Sequence, residues 1–415
     1  MRKLKNFYHL LVALLASIVY RFPSKDLIVI GVTGTDGKTT TVHLINHILE
    51  EAGLASDLIS SISAPGLHTT TPDSWILQGL LRKMVNKGIK YVVLEVTSHG
   101  LDQHRLAGTK FYLGVITNVT HEHLDYHQTY ENYLKAKAKL FRGVKIAIIN
   151  RDDESYGYLS AKRKPSSRAQ VEGAQSAKCV TYGIKNKADF TPKTFKFKTL
   201  LPGEYNQYNC LAAIAATSAL GLKPEIIRKA VTSFKGVEGR LEEINEGQDF
   251  KVIVDFAHTS NALENVLKTL SNLKPKTSNL IAVFGCAGLR DVQKRPIMGE
   301  VATKYADFIV LTAEDPRTED VNEIIDQISG GCLKAGAKEK NLNNIYYLSG
   351  KKFFFRIPDR REAIRFAIQK LAKKGDVVVI CGKGHEKSMC FGKTEYPWSD
   401  QNETREALRN LKKNV

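Results

Sequence analysis

Ten consecutive residues, Gly31-Val32-Thr33-Gly34-Thr35-Asp36-Gly37-Lys38-Thr39-Thr40, have the types needed to hold a phosphate. Glycines let backbone N–H groups turn toward an anion, and a following helix N-terminus adds partial positive charge. In such a loop Lys38 reaches the β- and γ-phosphates and the Thr39 hydroxyl takes a Mg²⁺ site. Val32 stands where the strict G-x4-G-K-[ST] spacing has its first glycine. The alternative is a plain strand-to-helix turn with a chance Gly-Lys-Thr. The apolar strand at 27–30 and the helical pattern at 42–49 favour the phosphate loop, because both fall where the motif requires them.

Glu95 ends the apolar run at 91–94, and an acid at a strand tip beside a phosphate loop is a natural Mg²⁺ ligand. The stretch 96–105 that follows is dense in hydrogen-bonding groups, among them Thr97, Ser98, His99, Gln103 and Arg105. A second such stretch, 118–127, carries His121, His123 and His127, and nine of the eleven histidines precede residue 128. Metal and phosphate coordination is one reading. A zinc site is the rival, but His-x-His-x3-His without a nearby cysteine is a weak signal.

These residues need rigid elements to hold them. The 415 residues allow two or three domains. Residues 25–237 alternate apolar strands (27–30, 91–95, 113–117 and 145–149) with helical patterns, which reads as a parallel sheet covered by helices. A helix is expected from Asn209 to Leu220, stopping at Gly221, and the Lys-rich stretch 159–178 as a surface loop or small insertion. A boundary is expected at Gly236-Val237-Glu238-Gly239-Arg240. Beyond it, residues 238–415 form a second, Rossmann-like α/β pattern with strands at 252–256, 280–284, 308–312, 345–348 and 377–381. Apolar β-branched runs of this kind suit buried parallel strands. Ligands in such sheets sit at strand C-termini, where 255–258, 285–291, 314–317 and 382–386 fall.

The formal net charge of +18 points to anionic partners: nucleotides, lipid surfaces or nucleic acid. Six cysteines without a C-x-x-C pair argue against a zinc ribbon or disulfide framework and for a reducing, cytoplasmic setting. Residues 1–24 combine Arg2, Lys3 and Lys5 with an apolar run from Phe7 to Tyr20, and no A-x-A site follows it. As a helix that run reaches about 21 Å, short of a hydrocarbon core of about 30 Å. Two readings stay open: a helix packed on the central domain, or one lying in a membrane interface.

With these residues in view, the chain resembles the Mur ligases, the ATP-dependent amide-forming enzymes of peptidoglycan precursor synthesis, and within them the muramoyl-dipeptide ligases. The matches follow in order. They are the phosphate loop, His68-Thr69-Thr70-Thr71-Pro72-Asp73, Glu95-Val96-Thr97-Ser98-His99-Gly100-Leu101, His123-Leu124-Asp125-Tyr126-His127, Tyr133-Leu134-Lys135-Ala136-Lys137 and Asn206-Gln207-Tyr208-Asn209. The second half adds Glu238-Gly239-Arg240-Leu241-Glu242, Val254-Asp255-Phe256-Ala257-His258, Arg290-Asp291 with Lys294-Arg295-Pro296, Asp315-Pro316-Arg317 and Gly382-Lys383-Gly384-His385-Glu386.

The resemblance implies that ATP phosphorylates a substrate carboxylate and that an amino acid's amine then displaces phosphate. It assigns Lys38, Glu95, His123, Lys137 and His258 to catalysis. The nucleotide falls to Thr35, Asp36, Gly37, Lys38, Thr39, Thr40, Asn209, Arg240 and Asp255. Thr39 and Glu95 would hold one Mg²⁺, and His123 with a carbamylated Lys137 the other; without the family match, Lys137 reads as a surface lysine. Thr70, Thr71, Ser98, Gln103 and Arg105 match positions for the muramoyl-dipeptide. Arg290, Asp315, Arg317, Gly382 and Glu386 match those for the incoming amino acid, with Arg317 on the distal carboxylate of meso-diaminopimelate.

Three departures bear on the substrate. Glu314-Asp315 replaces Asp-Asn, and Ala287 and Leu289 replace Gly and Asp, which leaves L-lysine or another amino acid as alternatives. Only about two dozen residues precede the first strand, where family members carry a UDP-holding domain of roughly minimum domain size. An acceptor without UDP, as in related Mur-type or folylpolyglutamate-type ligases, is the further alternative. The expected state is a monomer without nucleic-acid partners.

Overall fold

The computed structural model describes residues 2–63, 71–120, 122–161, 177–342 and 352–413, and it divides into two compact units, Met1–Lys235 and Gly236–Val415.

The first unit opens with helix α1 (Arg2–Val19). Its sheet has six strands: β1 (Ile28–Thr33), β2 (Ser56–Ile59), β3 (Tyr91–Glu95), β4 (Leu113–Ile116), β5 (Ile146–Asn150) and β6 (Lys178–Tyr182). All pair in parallel, in the order β2-β3-β1-β4-β5-β6. The interleaved helices are α2 (Lys38–Glu51), α3 (Ser74–Asn86), α4 (Ser98–Asp102), α5 (Leu124–His127), α6 (Tyr130–Ala138) and α7 (Ser155–Ala161). Helices α8 (Glu204–Ala219) and α9 (Pro224–Ser233) close the unit. The inner strands are buried along their length, so they are apolar throughout rather than alternating. Successive strands leave β1 on opposite sides, toward β3 and toward β4. The crevice that this reversal opens at the strand C-termini is where the phosphate loop begins.

The second unit has seven strands: β7 (Glu242–Glu243), β8 (Lys251–Asp255), β9 (Leu280–Phe284), β10 (Phe308–Leu311), β11 (Lys338–Glu339), β12 (Phe353–Arg356) and β13 (Val377–Cys381). Their order is β11-β12-β10-β9-β13-β8-β7, parallel except for the β7–β8 edge. Helices α10 (Ser260–Leu273), α11 (Lys294–Tyr305), α12 (Val321–Lys334), α13 (Arg360–Phe366) and α14 (Asp400–Lys413) cover it, and a hairpin, β14 (Ser388–Phe391) with β15 (Thr394–Pro397), stands apart. Alternate residues feed separate cores on the two faces: Ala282, Phe284, Ile309 and Leu311 on one, Ile281, Val283, Phe308 and Val310 on the other. Covering both faces with helices is what makes these strands uniformly apolar.

Several sequence expectations shift. The helix expected at 42–49 begins at Lys38, and that expected at 209–220 begins at Glu204. Strands β2, β6, β7, β11, β12, β14 and β15 have no counterpart among the expected strands, while the strand expected at 345–348 and most of the Lys-rich stretch 159–178 lie outside the described residues. Helix α1 spans residues 2–19, and no described helix is long and apolar enough to cross a membrane.

Candidate active site

In the first unit the loop after β1 is fixed from the side. Gly34 lies so close to β4's end that a Cβ there would meet Thr117 Oγ1 at 1.8 Å, and its φ of +153° is open chiefly to glycine. Thr35 N–H donates to Asn118 O at 2.9 Å, and Asp36 N–H to Asn118 Oδ1 at 2.9 Å. Thr117 Oγ1 donates in turn to Asp36 O at 2.7 Å. Gly37, at φ +80°, caps α2; a Cβ there would meet the Asn209 side-chain oxygen at 2.2 Å. Asn209 thus sits buried beneath the loop, donating to Asn206 Oδ1 at 3.0 Å. The α2 N-terminus, with Thr40 buried in its first turn, opens behind this cradle. Lys38 Nζ curls back to donate to Thr35 O at 2.7 Å.

Register places Glu95 beside Val32 at the tips of β3 and β1. The Thr39 hydroxyl donates to both Glu95 oxygens, at 3.2 and 3.1 Å, and Ser61 N–H reaches Glu95 Oε2 at 3.2 Å. Thr71 lies behind them, its hydroxyl on Glu95 O at 3.3 Å and on Thr97 Oγ1 at 3.0 Å.

Lys137 on α6 is 1% exposed, so the surface-lysine reading is wrong. Its Nζ donates to Gly34 O at 2.5 Å and lies 4.4 Å from the centre of the Tyr133 ring one helical turn back. Burial, and next the charge of Lys38, hold its pKa well below that of a free lysine. Tyr133 OH pairs with Thr35 Oγ1 at 3.1 Å. His123 takes a left-handed backbone (φ 58°), and its ring stands 6.1 Å from that of Tyr133 and 4.9 Å from that of His99. His127 is buried and joined to Ser98 Oγ at 3.0 Å. Gln103 Nε2 donates to Tyr126 OH at 3.3 Å, and Arg105 Nη1 to Thr71 O at 3.3 Å. Residues 34–39, 71, 95–105, 118–120, 122–127 and 133–137 therefore form one connected group; His68, Thr70 and His121 lie outside the described residues. No cluster of three or more His, Cys, Asp or Glu groups suited to a metal forms among the described residues. The Thr39–Glu95 pair still suits Mg²⁺, which keeps several waters and takes one or two protein ligands plus phosphate oxygens.

In the second unit a separate group gathers at the C-terminal ends of β8, β10 and β13. Asp255 accepts from Leu241 N–H and Ala257 N–H, each at 2.7 Å. The Arg240 guanidinium lies 4.4 Å from the Phe256 ring centre, and His258 Nδ1 lies 2.9 Å from Phe256 O. Lys294 Nζ donates to His258 O at 2.7 Å.

The loop after β10 and the loop after β13 are joined by Lys383. This buried lysine contacts Asp315 Oδ1 at 2.7 Å and Glu386 Oε2 at 2.5 Å. Burial opposes its charge, but the two carboxylates outweigh burial and raise its pKa. Asp315 Oδ1 also accepts from Cys390 N–H at 2.9 Å. Asp315 and Arg317 both have left-handed backbones, at φ 44° and 56°. Arg317 N–H donates to Cys390 O, and its guanidinium reaches Gly288 O at 3.4 Å. A Cβ on Gly382 would meet Glu314 Cγ at 3.0 Å. Glu314 is buried with Oε2 unsatisfied, and burial pushes its pKa up to about 7. Arg290 is exposed on the neighbouring loop.

Three supports carry roles that the sequence did not assign: Arg295, noted only within the run 294–296, and Arg360 and Asp400, which no motif marks. Arg295, buried, spans Glu319 Oε2 at 2.8 Å and Ala287 O at 3.3 Å, which shapes the 287–289 loop. Arg360 and Asp400, both fully buried, form a two-pronged pair at 2.8 and 2.7 Å. The same guanidinium donates to Ala313 O at 3.1 Å and Cys381 O at 2.9 Å, the backbone just before Glu314 and Gly382. In the sequence each reads as an ordinary charged residue of its helix.

The phosphate loop on one parallel sheet and the charged, strand-tip group on a second define a two-unit, nucleotide-using α/β protein. Residues 32–217 match the Mur ligase middle domain and 239–384 the Mur ligase, glutamate ligase domain. The chain belongs to the Mur ligase family and is an ATP-dependent, ADP-forming amide ligase. It is 39% identical over 419 residues to a UDP-N-acetylmuramoyl-L-alanyl-D-glutamate–2,6-diaminopimelate ligase of Geobacter metallireducens, covering 95% of this chain and 81% of that protein. It is 37% identical over 434 residues to the Geobacillus thermodenitrificans ligase of the same name, covering 96% and 82%. A solved structure of such a ligase aligns with a TM-score of 0.59 at 33% identity, over 93% of this chain and 79% of that one. A Mycobacterium tuberculosis folylpolyglutamate synthase shares the fold, with a TM-score of 0.67 at 16% identity over 90% and 92%.

Proposed function

We propose that this chain joins meso-diaminopimelate to the D-Glu carboxylate of UDP-N-acetylmuramoyl-L-Ala-D-Glu in peptidoglycan synthesis, acting as a monomer in the cytoplasm. The observation that carries the choice of amino acid is Arg317, in the loop after β10 beside Asp315, with its guanidinium 3.4 Å from Gly288 O. A planar fork there suits a second carboxylate, which diaminopimelate has and lysine lacks. The identity to diaminopimelate ligases of both genera supports the same reading.

In the first unit, Lys38 and the loop N–H groups receive the ATP phosphates, while Ser98, Gln103, Arg105, Thr70 and Thr71 receive the acceptor. Thr39 and Glu95, and His123 with a carbamylated Lys137, would hold Mg²⁺, which when bound supplies charge neutralisation at the transferring phosphoryl. Carbamylation needs a neutral amine, and burial, with the charge of Lys38, shifts the pKa of Lys137 in that direction. An acceptor carboxylate oxygen attacks the γ-phosphorus, and the bond to the ADP oxygen breaks. Lys38 and the backbone donors stabilise the charge that develops. The amine of the amino acid then attacks the acyl carbon and phosphate leaves. In the second unit, Arg240 and Asp255 serve the adenine and ribose, a task that resemblance also gives Asn209 of the first unit. The family resemblance gives His258 a role at the phosphates. Asp315, Gly382, Glu386 and Arg290, with Arg317, orient the amino acid.

The test is product mass. With ATP and the UDP-muramoyl-dipeptide, diaminopimelate should yield an amide-linked tripeptide precursor in preference to lysine. A lysine product formed faster would overturn the choice of amino acid while leaving the ligase chemistry in place.

A further inference from the structure

Helix α1 has its apolar side facing away from the protein. The face packed on the first unit is small and polar. Ala13, Ala16 and Ser17 are fully buried. Ser17 Oγ donates to Ala13 O at 2.8 Å and to Ala107 O at 3.3 Å, and Asn6 Nδ2 to Asp102 O at 3.0 Å. A Cβ on Gly108 would meet Ser17 Oγ at 2.0 Å, so the helix is seated closely. At its C-terminal end, Arg82 of α3 donates to Tyr20 O and Arg21 O, each at 3.0 Å. The large side chains point the other way: Leu4 is 76% exposed and Ile18 59%, with Phe7, Leu11, Leu14 and Leu15 between them. At helical spacing these six fall within one stripe. Trp75 and Ile76, at the start of α3, are exposed as well, and the Trp75 ring packs edge-on to Tyr20 at 6.2 Å.

An apolar stripe of this size on a well-anchored helix is a docking surface, and charge selects its occupant. The first 25 residues hold Arg2, Lys3, Lys5, Arg21 and Lys25 and no acid. A second copy meeting the same face would bring like charges together. A surface that is apolar below and anionic above complements both features at once. We propose that α1 lies flat in the headgroup region of an anionic bilayer, with its leucine stripe down and the first unit, to which it is tethered, on the water side. Its hydrogen-bonded inner face keeps it attached to the first unit, so it docks the protein without crossing the bilayer. The interfacial tryptophan and tyrosine at its C-terminal end are the residue types found at that depth.

The test is flotation of the full chain with phosphatidylcholine vesicles, with and without phosphatidylglycerol. Wild type should float only with the anionic vesicles, and roughly tenfold less in high salt than in low salt. Leu11→Glu/Leu15→Glu/Ile18→Glu changes exposed positions only, so circular dichroism and turnover of a water-soluble acceptor should be unchanged while flotation falls at least about tenfold. Lys3→Gln/Lys5→Gln leaves the stripe intact and should float several-fold less. Equal flotation with neutral vesicles, or unchanged flotation in the glutamate variant, would overturn the proposal. So would absence of flotation, whether the wild type sediments as a monomer or as a dimer that the glutamate variant dissociates; the dimer would show that the stripe takes a second copy.

Discussion

Lys137 Nζ donates to the carbonyl oxygen of Gly34 at 2.5 Å, which ties α6 to the phosphate loop through a side chain with almost no contact with solvent. A lysine so placed is poorly stabilised as a cation, because burial and Lys38 both oppose its charge. Both effects favour the neutral amine that carbamylation requires, and a carbamate there would carry oxygens where the ammonium has none. Lys137→Ala is expected to lose essentially all turnover, and short carboxylic acids added to the assay should restore part of it. Full activity without rescue would show that the lysine is structural.

Arg317 should govern amino-acid affinity and leave ATP alone. Loss of a bidentate partner to a carboxylate costs on the order of 2–5 kcal/mol in a desolvated site. Arg317→Ala is expected to raise KM for diaminopimelate strongly with KM for ATP unchanged. Steady-state kinetics with each substrate varied in turn checks this, and equal changes in both constants would contradict it.

The Arg360–Asp400 pair should be structural with a catalytic echo. Removing one member of a fully buried pair typically costs about 3–5 kcal/mol, so Arg360→Met should lower the unfolding midpoint of the second unit markedly. Arg360→Lys keeps the charge but cannot span Ala313 O, Cys381 O and Asp400 together. It should fold, yet show a raised KM for the amino acid, because the backbone before Glu314 and Gly382 is no longer clamped.

Glu314 gives a pH dependence with a defined sign. Its folded pKa, about 7, lies above the ordinary value of 4.5, so the folded state binds more protons than the unfolded state between those values. The stability it contributes is complete below about pH 4.5 and is lost as pH rises through 7. The amount is roughly 3 kcal/mol, taken at 1.36 kcal/mol per unit. In urea unfolding from pH 5 to 8, the wild type should weaken relative to Glu314→Gln as pH rises. Parallel curves would contradict a buried, neutral acid.

Much of the first unit's group was legible because its chemistry dictates residue types. A loop that turns N–H groups toward phosphate needs glycine at Gly34 and Gly37, and the lysine and threonine after them follow. The strand-tip Glu95 was legible for the same reason. The packing of Asn209 under Gly37 was not, because it joins α8 to α2 across the chain and leaves no local pattern. Lys137 reads as a surface residue, since α6 carries Lys135 and Lys137, is followed at once by Lys139, and has only a weak apolar stripe. Burial by tertiary contact decides its role. Arg360 and Asp400 hide in the same way, as ordinary charges on amphipathic helices. Strands β2 and β6 escaped because they edge the sheet, where half-exposed positions admit Ser56, Asp57, Lys178 and Thr181.

The central claim is that this protein makes an amide by first phosphorylating the acceptor carboxylate. It is tested most directly by labelling that carboxylate with oxygen-18 and following the label during turnover with ATP and diaminopimelate. The account predicts that one labelled oxygen passes from the acceptor to the inorganic phosphate released with each amide formed. Unlabelled phosphate, with oxygen drawn from water, or phosphate release that does not require the acceptor, would contradict it.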